Sequence, residues 1–206
     1  MATTLFGTED SVYVRIVRLV LHEKKIIYDF VIADVFSPEA LPASFAGRHP
    51  FGQIPAIEID RIRLYETDAI VHYIEALHPD PPLVPADPLA AARARQIMRV
   101  IDNHAYRALV WGIYVPVWWR EGREPDVTAI AAARLSLAAL DDLIGAARLA
   151  PTSSLAGFYL GAVLATLDSV EAGSRLLDGC PHLRSWWDGF RGTPAMVATR
   201  SPQTQY

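Results

Sequence analysis

The chain has 206 residues, 51% of them apolar, and a formal net charge of -4. That apolar share supports a sizeable packed core and excludes a disordered chain. The acidic balance, with a pI near 5.8, excludes the dense cationic face that sequence-independent nucleic-acid binding requires.

A basic start followed by an apolar stretch is not visible, since Glu9 and Asp10 interrupt the first apolar run, so no secretory signal is expected. The runs Ala108 to Trp119 and Leu155 to Thr166 fall short of the roughly 20 apolar residues that a spanning helix needs. A soluble cytoplasmic protein without a membrane partner is the expectation. Cys180 is the one cysteine, which rules out an intrachain disulfide and a cysteine-based metal cluster. It stands between Gly179 and Pro181 in an expected loop, and nothing cationic surrounds it in sequence, so it reads as a structural thiol.

In chain order, Thr3 to Phe6 is β-prone and closed by Gly7. From Ser11 to His22, Val14, Val17, Val20 and Leu21 recur at helical spacing, with Ser11 near the first turn and Lys24 and Lys25 at the negative pole. Ile26 to Ala33 reads as a second strand, which makes a β-α-β unit with parallel strands and a right-handed crossover. A short helix is expected around Glu39 to Phe45, although Pro42 falls inside it. Pro55 to Ile59 and Ile62 to Tyr65 read as an antiparallel pair turning at Asp60-Arg61, and a helix follows from Thr67 to Leu77. The first 78 residues thus predict β-α-β-α-β-β-α.

His78 to Pro88 carries five prolines in eleven residues, so residues 79–87 read as a linker. No strand pattern follows. Asp87 as N-cap and Pro88 at the first helical position open one long helix to Arg120, kinked or ended by Pro116, which frees the carbonyl of Gly112. Further helices are expected over Val127 to Arg148, Ser154 to Val170 and Leu183 to Phe190, with a loose tail to Tyr206. The predicted architecture is α/β plus all-α: an N-terminal domain over 1–78 and a helical domain over 88–206.

Four stretches, in order and at matching separations, carry a resemblance over nearly the whole chain: LFGTEDSVYVRIVRLVLHEKKIIYDFV, HPFGQIPAIE, LYETDAIVHYIEAL and PHLRSWWDGFRGTPAM. Together they resemble the cytosolic glutathione S-transferases of the serine type, nearest to the phi, zeta and tau patterns. The resemblance implies a thioredoxin-like N-terminal domain that binds glutathione as co-substrate, and an all-helical domain that supplies a hydrophobic pocket. It also implies a homodimer and no metal.

Ser11 alone reads as a helix cap, whereas the resemblance places it at the catalytic position. There its hydroxyl and the positive pole of the following helix would stabilise a thiolate that is otherwise a minor species at neutral pH. Thr8 and Tyr13 are the alternative hydroxyls, and Val12 stands where the related patterns carry proline. Ile54-Pro55 resembles the family's cis-proline, which presents the backbone N–H and C=O of Ile54 for strand-like pairing with the cysteinyl part of glutathione; Gln53 resembles a further contact. Glu66 and Thr67 begin a helix and match the γ-glutamyl end: Thr67 for the carboxylate, Glu66 for the ammonium. Arg15, Arg48 and His49 are candidates for the glycine carboxylate. Trp111, Tyr114 and Trp118, spaced i, i+3, i+7, read as core or as a wall of the hydrophobic pocket, to which Tyr13 is also assigned. Gly157 stands where the family carries Asp, so a capping box that begins at Ser154 is lost.

The implied reaction is attack of the glutathione thiolate on a hydrophobic electrophile. Isomerisation, dehalogenation or peroxide reduction at the same site, and a non-enzymatic interaction module, are the alternatives.

Overall fold

The computed structural model describes residues 2–119, 122–147, 149–150 and 152–201. The expected helix ends at Arg120 and Arg148, and the tail beyond Ser201, lie outside these residues. The chain forms two compact units. One comprises residues 1–83 together with the segment from Ala198, and the other runs from Val84 to Val197.

The first unit is built on a four-stranded sheet in the order β2-β1-β3-β4. β1 (Thr3–Gly7) pairs in parallel with β2 (Asp29–Ile32) after α1 (Val12–Glu23), and antiparallel with β3 (Ala56–Ile59). β3 and β4 (Ile62–Tyr65) form a hairpin through Asp60 and Arg61, both at positive φ (47 and 72°), the two-residue turn whose twist matches the strands. Central strands buried on both faces read as nearly continuous apolar runs; hence Leu5, Phe6, Ala56, Ile57 and Ile59 are buried. β2 and β4 are edges with exposed positions.

β2 is shorter than the expected Ile26 to Ala33, because Ile26 donates its N–H back to Leu21 and Ile27 stands 91% exposed near Lys25, which has positive φ. The helix expected around Glu39 to Phe45 is instead two single turns, Pro38–Ala40 and Ala43–Phe45, because Pro42 between them is extended. Phe45 still reaches a core formed with Phe6, Ala33 and Ala56. α2 (Thr67–Leu77) packs beside α1. The first part of the proline-rich stretch is tied to this unit: the buried Lys24 ammonium donates to the Pro81 carbonyl at 2.6 Å and pairs with Glu75 at 2.6 Å, and Glu75 accepts from Leu83 N–H.

In the second unit α3 (Pro88–Val100), capped by the Asp87 carboxylate, runs without a break through 101–114 into α4 (Val115–Trp118). The intervening turns are widened to i→i+5 pairing: Tyr106 donates to Ile101 and Val115 to Val110. An i→i+5 stretch next to a proline is one of the ways a helix absorbs a missing N–H, so Pro116 neither ends the helix nor is its only irregularity. α5 (Val127–Ala147), α6 (Leu155–Asp168), α7 (Glu171–Asp178), α8 (Pro181–Phe190) and α9 (Pro194–Ala198) follow. α6 is apolar all round and buried from Leu155 to Leu167, as a central helix must be.

α7 and α9 go beyond the helices expected from periodicity. α7 hides in sequence because Gly173 interrupts its pattern; an added Cβ there would stand 2.0 Å from the Leu167 carbonyl oxygen, so close packing demands glycine. Cys180 lies, as expected, in a short connection, the two residues between α7 and α8, where it holds the N-cap position of α8 without a side-chain capping bond. Burial pushes its thiol up, the Asp141 charge adds to this and Arg134 opposes it, in keeping with a structural thiol.

Candidate functional site

The sheet register decides the site. Phe6 of β1 faces Ala56 of β3, and Ala56 faces Tyr65 of β4, so the three residues form one rung at one end of the sheet. The chain leaves β1 one residue after Phe6, enters β3 at Ala56 and leaves β4 at Tyr65. Three short segments therefore meet at the same edge: the Thr8–Ser11 loop, the Gln53–Pro55 entry and the Glu66–Thr67 helix start. Distant parts of the sequence are brought together by two antiparallel pairings.

Ser11 is the N-cap of α1, half-buried and extended, and its Oγ accepts the Val14 N–H at 3.3 Å. An oxygen that accepts at an N-cap keeps its own proton for donation. Its N–H donates to the Thr8 carbonyl at 3.3 Å, which closes a tight turn over the start of the helix. Thr8 sits earlier in this loop and Tyr13 on the first turn, both half-buried. Val12 occupies the first helical position and is 3% exposed. Gly7 permits this close approach, since a Cβ there would lie 2.3 Å from Val14 Cγ2.

Ile54-Pro55 is a cis bond, as the motif implied. Pro55 is buried, Ile54 half-buried and Gln53 exposed. Glu66 adopts φ 67°, ψ 116°, a sparsely populated conformation for a residue with a side chain, and it precedes Thr67, the buried first residue of α2. Such outliers cluster at ligand sites because the surrounding structure must over-determine them.

The three cationic candidates differ in what holds them. Arg48 pairs with Glu58 and lies over the Phe6 ring, 5.1 Å from its centroid. Arg15 is 3% exposed, and its Nε donates to Thr199 Oγ1 at 3.4 Å. Both are tied into the fold. His49 is buried, accepts the Phe51 N–H on Nδ1 at 3.2 Å and lies 4.9 Å, ring to ring, from Tyr65. Burial lowers its pKa below the ordinary histidine range, and the nearby Glu66 carboxylate only partly restores it.

Sequence reasoning left out the partners of α1 in the last residues of the chain. Ser201 Oγ donates to the Asp10 carboxylate next to Ser11, and the Thr199 carbonyl accepts from Arg18 Nη1 at 3.5 Å. These contacts join opposite ends of the sequence, and no local pattern announces them.

Within the helical unit, Tyr114 and Trp118 stack with ring centroids 5.6 Å apart and planes at 7°, and Tyr114 is buried. Trp111 is 42% exposed, so the three aromatics do not form a uniformly buried stripe. The widened turns between Trp111 and Tyr114 change the angular spacing on which the i, i+3, i+7 expectation rests. Among the described residues no group of three His, Cys, Asp or Glu side chains could hold a metal ion, and no helix is long and apolar enough to cross a membrane.

Residues 5–82 match the family model "Glutathione S-transferase, N-terminal domain". Over 96% of the chain and 94% of the relative, the sequence is 28% identical to glutathione S-transferase F13 of Arabidopsis thaliana. It is 34% identical to a probable maleylacetoacetate isomerase of Caenorhabditis elegans over 42% of the chain and 40% of that protein. The crystal structure of glutathione transferase F7 from Populus trichocarpa superposes with a TM-score of 0.81 at 24% identity and full coverage of both chains, a likeness of fold. Residues 5–82 thus carry a glutathione S-transferase N-terminal domain, and the whole chain, with a thioredoxin-like sheet domain and a mostly helical remainder, is similar to glutathione S-transferases in sequence and in fold.

Proposed function

We propose that this protein is a glutathione transferase in which Ser11 activates the glutathione thiol for attack on a hydrophobic electrophile. The observation that carries the reading is the Phe6/Ala56/Tyr65 rung, which gathers the Ser11 loop, the Ile54-Pro55 entry and the Glu66-Thr67 helix start at one edge. In this reading Ile54 pairs through its backbone with the cysteinyl part of glutathione and Gln53 adds a side-chain contact. Thr67 takes the γ-glutamyl carboxylate at the positive pole of α2, and Glu66 takes the ammonium. The thiol then lies toward α1, where Ser11 donates to the sulfur and the helix pole favours its negative charge. Each unit of thiol pKa lowering requires about 1.4 kcal/mol of preferential thiolate stabilisation, within reach of one charge-assisted hydrogen bond together with the helix field. His49 is the proposed partner of the glycine carboxylate, because Arg15 and Arg48 are already engaged.

An apolar co-substrate is proposed from the aromatic content of the Trp111 to Trp118 stretch. A cytoplasmic homodimer completes the reading. Turnover of a chromogenic aryl halide with glutathione tests it: Ser11→Ala is expected to lower kcat by about 10-fold or more with a normal fold, as loss of one stabilising donor does, and equal rates would remove Ser11 from the mechanism. The likeness to a probable maleylacetoacetate isomerase favours one second reading, isomerisation by the same thiolate. Conjugation consumes glutathione stoichiometrically, whereas isomerisation regenerates it.

A further inference from the structure

Two arginines on α1 are buried where a solvated helix face would ordinarily carry its cations: Arg15 is 3% exposed and Arg18 8%. Buried charge is retained only where it is paired and hydrogen-bonded. Part of the pairing comes from nearby in the same unit. Arg18 reaches Glu9 at 3.7 Å, donates to the Tyr28 hydroxyl at 3.4 Å and lies over the Phe30 ring, 5.3 Å from its centroid. A further part comes from the segment after α9, where Thr199 supplies its side-chain oxygen to Arg15 and its carbonyl to Arg18.

Two residues on, Ser201 donates to Asp10, the residue immediately before Ser11. Thr199 and Ser201 are themselves 3% and 1% exposed, so the segment is packed in place rather than lying on the surface. It brackets Ser11. On one side it holds Asp10, and on the other it holds the side chain of Arg15, whose N–H closes the first helical turn onto the Ser11 carbonyl at 2.9 Å.

We propose that Thr199 and Ser201 are positioning residues for Ser11: the end of the chain clamps the Asp10-Ser11 turn and the first turn of α1, and so aims the Ser11 hydroxyl at the thiol. The inference rests on the reading of Ser11 as the thiol-activating residue. A hydroxyl on a short loop contributes to thiolate stabilisation only within a narrow range of distance and angle, and the Val14 contact that orients the Ser11 oxygen locally is a long one, 3.3 Å. The clamp grips Asp10 and α1, whereas Ile54, Glu66 and Thr67 belong to other segments, so it bears on chemistry more than on capture of glutathione.

The test uses the full chain and three variants, Ser11→Ala, Ser201→Ala and Ser201→Thr, with far-ultraviolet circular dichroism as the folding control. Thiolate absorbance of bound glutathione against pH gives the thiol pKa, aryl-halide turnover gives kcat and KM, and hydrogen exchange reads the amides of Val14 and Arg15. Ser201→Ala is expected to raise the thiol pKa by about half a unit or more, to lower kcat several-fold, to leave the glutathione KM within about twofold and to speed exchange at Val14 and Arg15. Ser201→Thr, which keeps the hydroxyl, is expected to restore the thiol pKa, kcat and the exchange at both amides. If Ser11→Ala is impaired while Ser201→Ala matches the native protein in thiol pKa and kcat, the clamp is overturned and the reading of Ser11 stands. If Ser11→Ala is itself silent while exchange still rises in Ser201→Ala, the reading of Ser11 fails and the segment is a structural tie alone, which overturns its positioning role.

Discussion

Trp187 donates its indole N–H to Asp168 at 2.9 Å, so the end of α6 is latched to α8 by a carboxylate whose side chain is only 6% exposed. Arg184 reaches the other oxygen at 3.2 Å and also contacts Ser174 and Asp178. Burial by itself pushes the Asp168 carboxyl up; the hydrogen bonds from Trp187, Ser174 and Arg184, together with the Arg184 charge, outweigh it and hold the pKa below the usual carboxylate range. A depressed folded-state pKa adds stability that is present above the unfolded value of about 3.9 and lost as pH falls through the folded value. Asp168→Asn is expected to destabilise the protein at pH 7 by about 2–3 kcal/mol, since Trp187 and Arg184 lose a charged acceptor. Urea unfolding of both proteins from pH 7 down to about pH 3 checks the sign: the gap between them narrows in acid as the native carboxylate takes up its proton.

Gly7 meets Val14 where β1 gives way to the loop before α1, and a Cβ added to Gly7 would stand 2.3 Å from Val14 Cγ2. Val14 is fully buried and β-branched, so it has little freedom to yield. Gly7→Ala is expected to cost about 1–3 kcal/mol as overpacking and to lower aryl-halide turnover, because relief of the clash moves the start of α1. A combined Gly7→Ala, Val14→Ala variant recovers part of the stability; no recovery in urea unfolding would locate the clash elsewhere.

Thr67 is buried at the first position of α2, with the strained Glu66 before it. A hydrogen bond to a charged ligand group contributes about 1.5–3 kcal/mol, so Thr67→Ala is expected to weaken glutathione binding about 10-fold or more, and Thr67→Ser to retain most of it. Titration of Trp fluorescence with glutathione measures both; equal affinities would place the γ-glutamyl end away from α2.

Ser154 caps α6 and its Oγ accepts the Gly157 N–H at 3.0 Å, which is one half of a capping box. Asp at 157 supplies the reciprocal acceptor and removes a helix glycine, each favourable by about 1 kcal/mol at most. The added Cβ stands 3.0 Å from both Ser154 Oγ and the Thr152 carbonyl oxygen, and the exposed Thr152 segment must shift by a few tenths of an ångström to receive it. Gly157→Asp is expected to raise Tm by about 2–4 °C; a lower Tm in a thermal scan would mean that the loop does not yield.

Much of the fold is legible in the sequence because its signals are local. Alternating and continuous apolar runs mark β1, β3 and β4, the hairpin turn falls at Asp60-Arg61 as the pattern predicts, and Asp87-Pro88 and Ser154 mark helix starts that the structure contains. Pro42 breaks a predicted helix into two turns, Gly173 conceals α7, and widened turns before Pro116 alter the aromatic spacing. In each case a tertiary contact or a backbone constraint overrides the periodicity.

The sequence alone determined which residue types stand at each segment that carries the family likeness: a hydroxyl ahead of α1, an Ile-Pro pair before β3 and a Glu-Thr pair at the start of α2. Those are choices of local chemistry, and one-dimensional order is enough to express them. Only the tertiary structure decided that they share an edge, because the shared rung of Phe6, Ala56 and Tyr65 follows from strand register. It alone also decided that Asp10, Arg15 and Arg18 are held by Thr199 and Ser201, since a contact across 191 residues leaves no periodic trace in the chain.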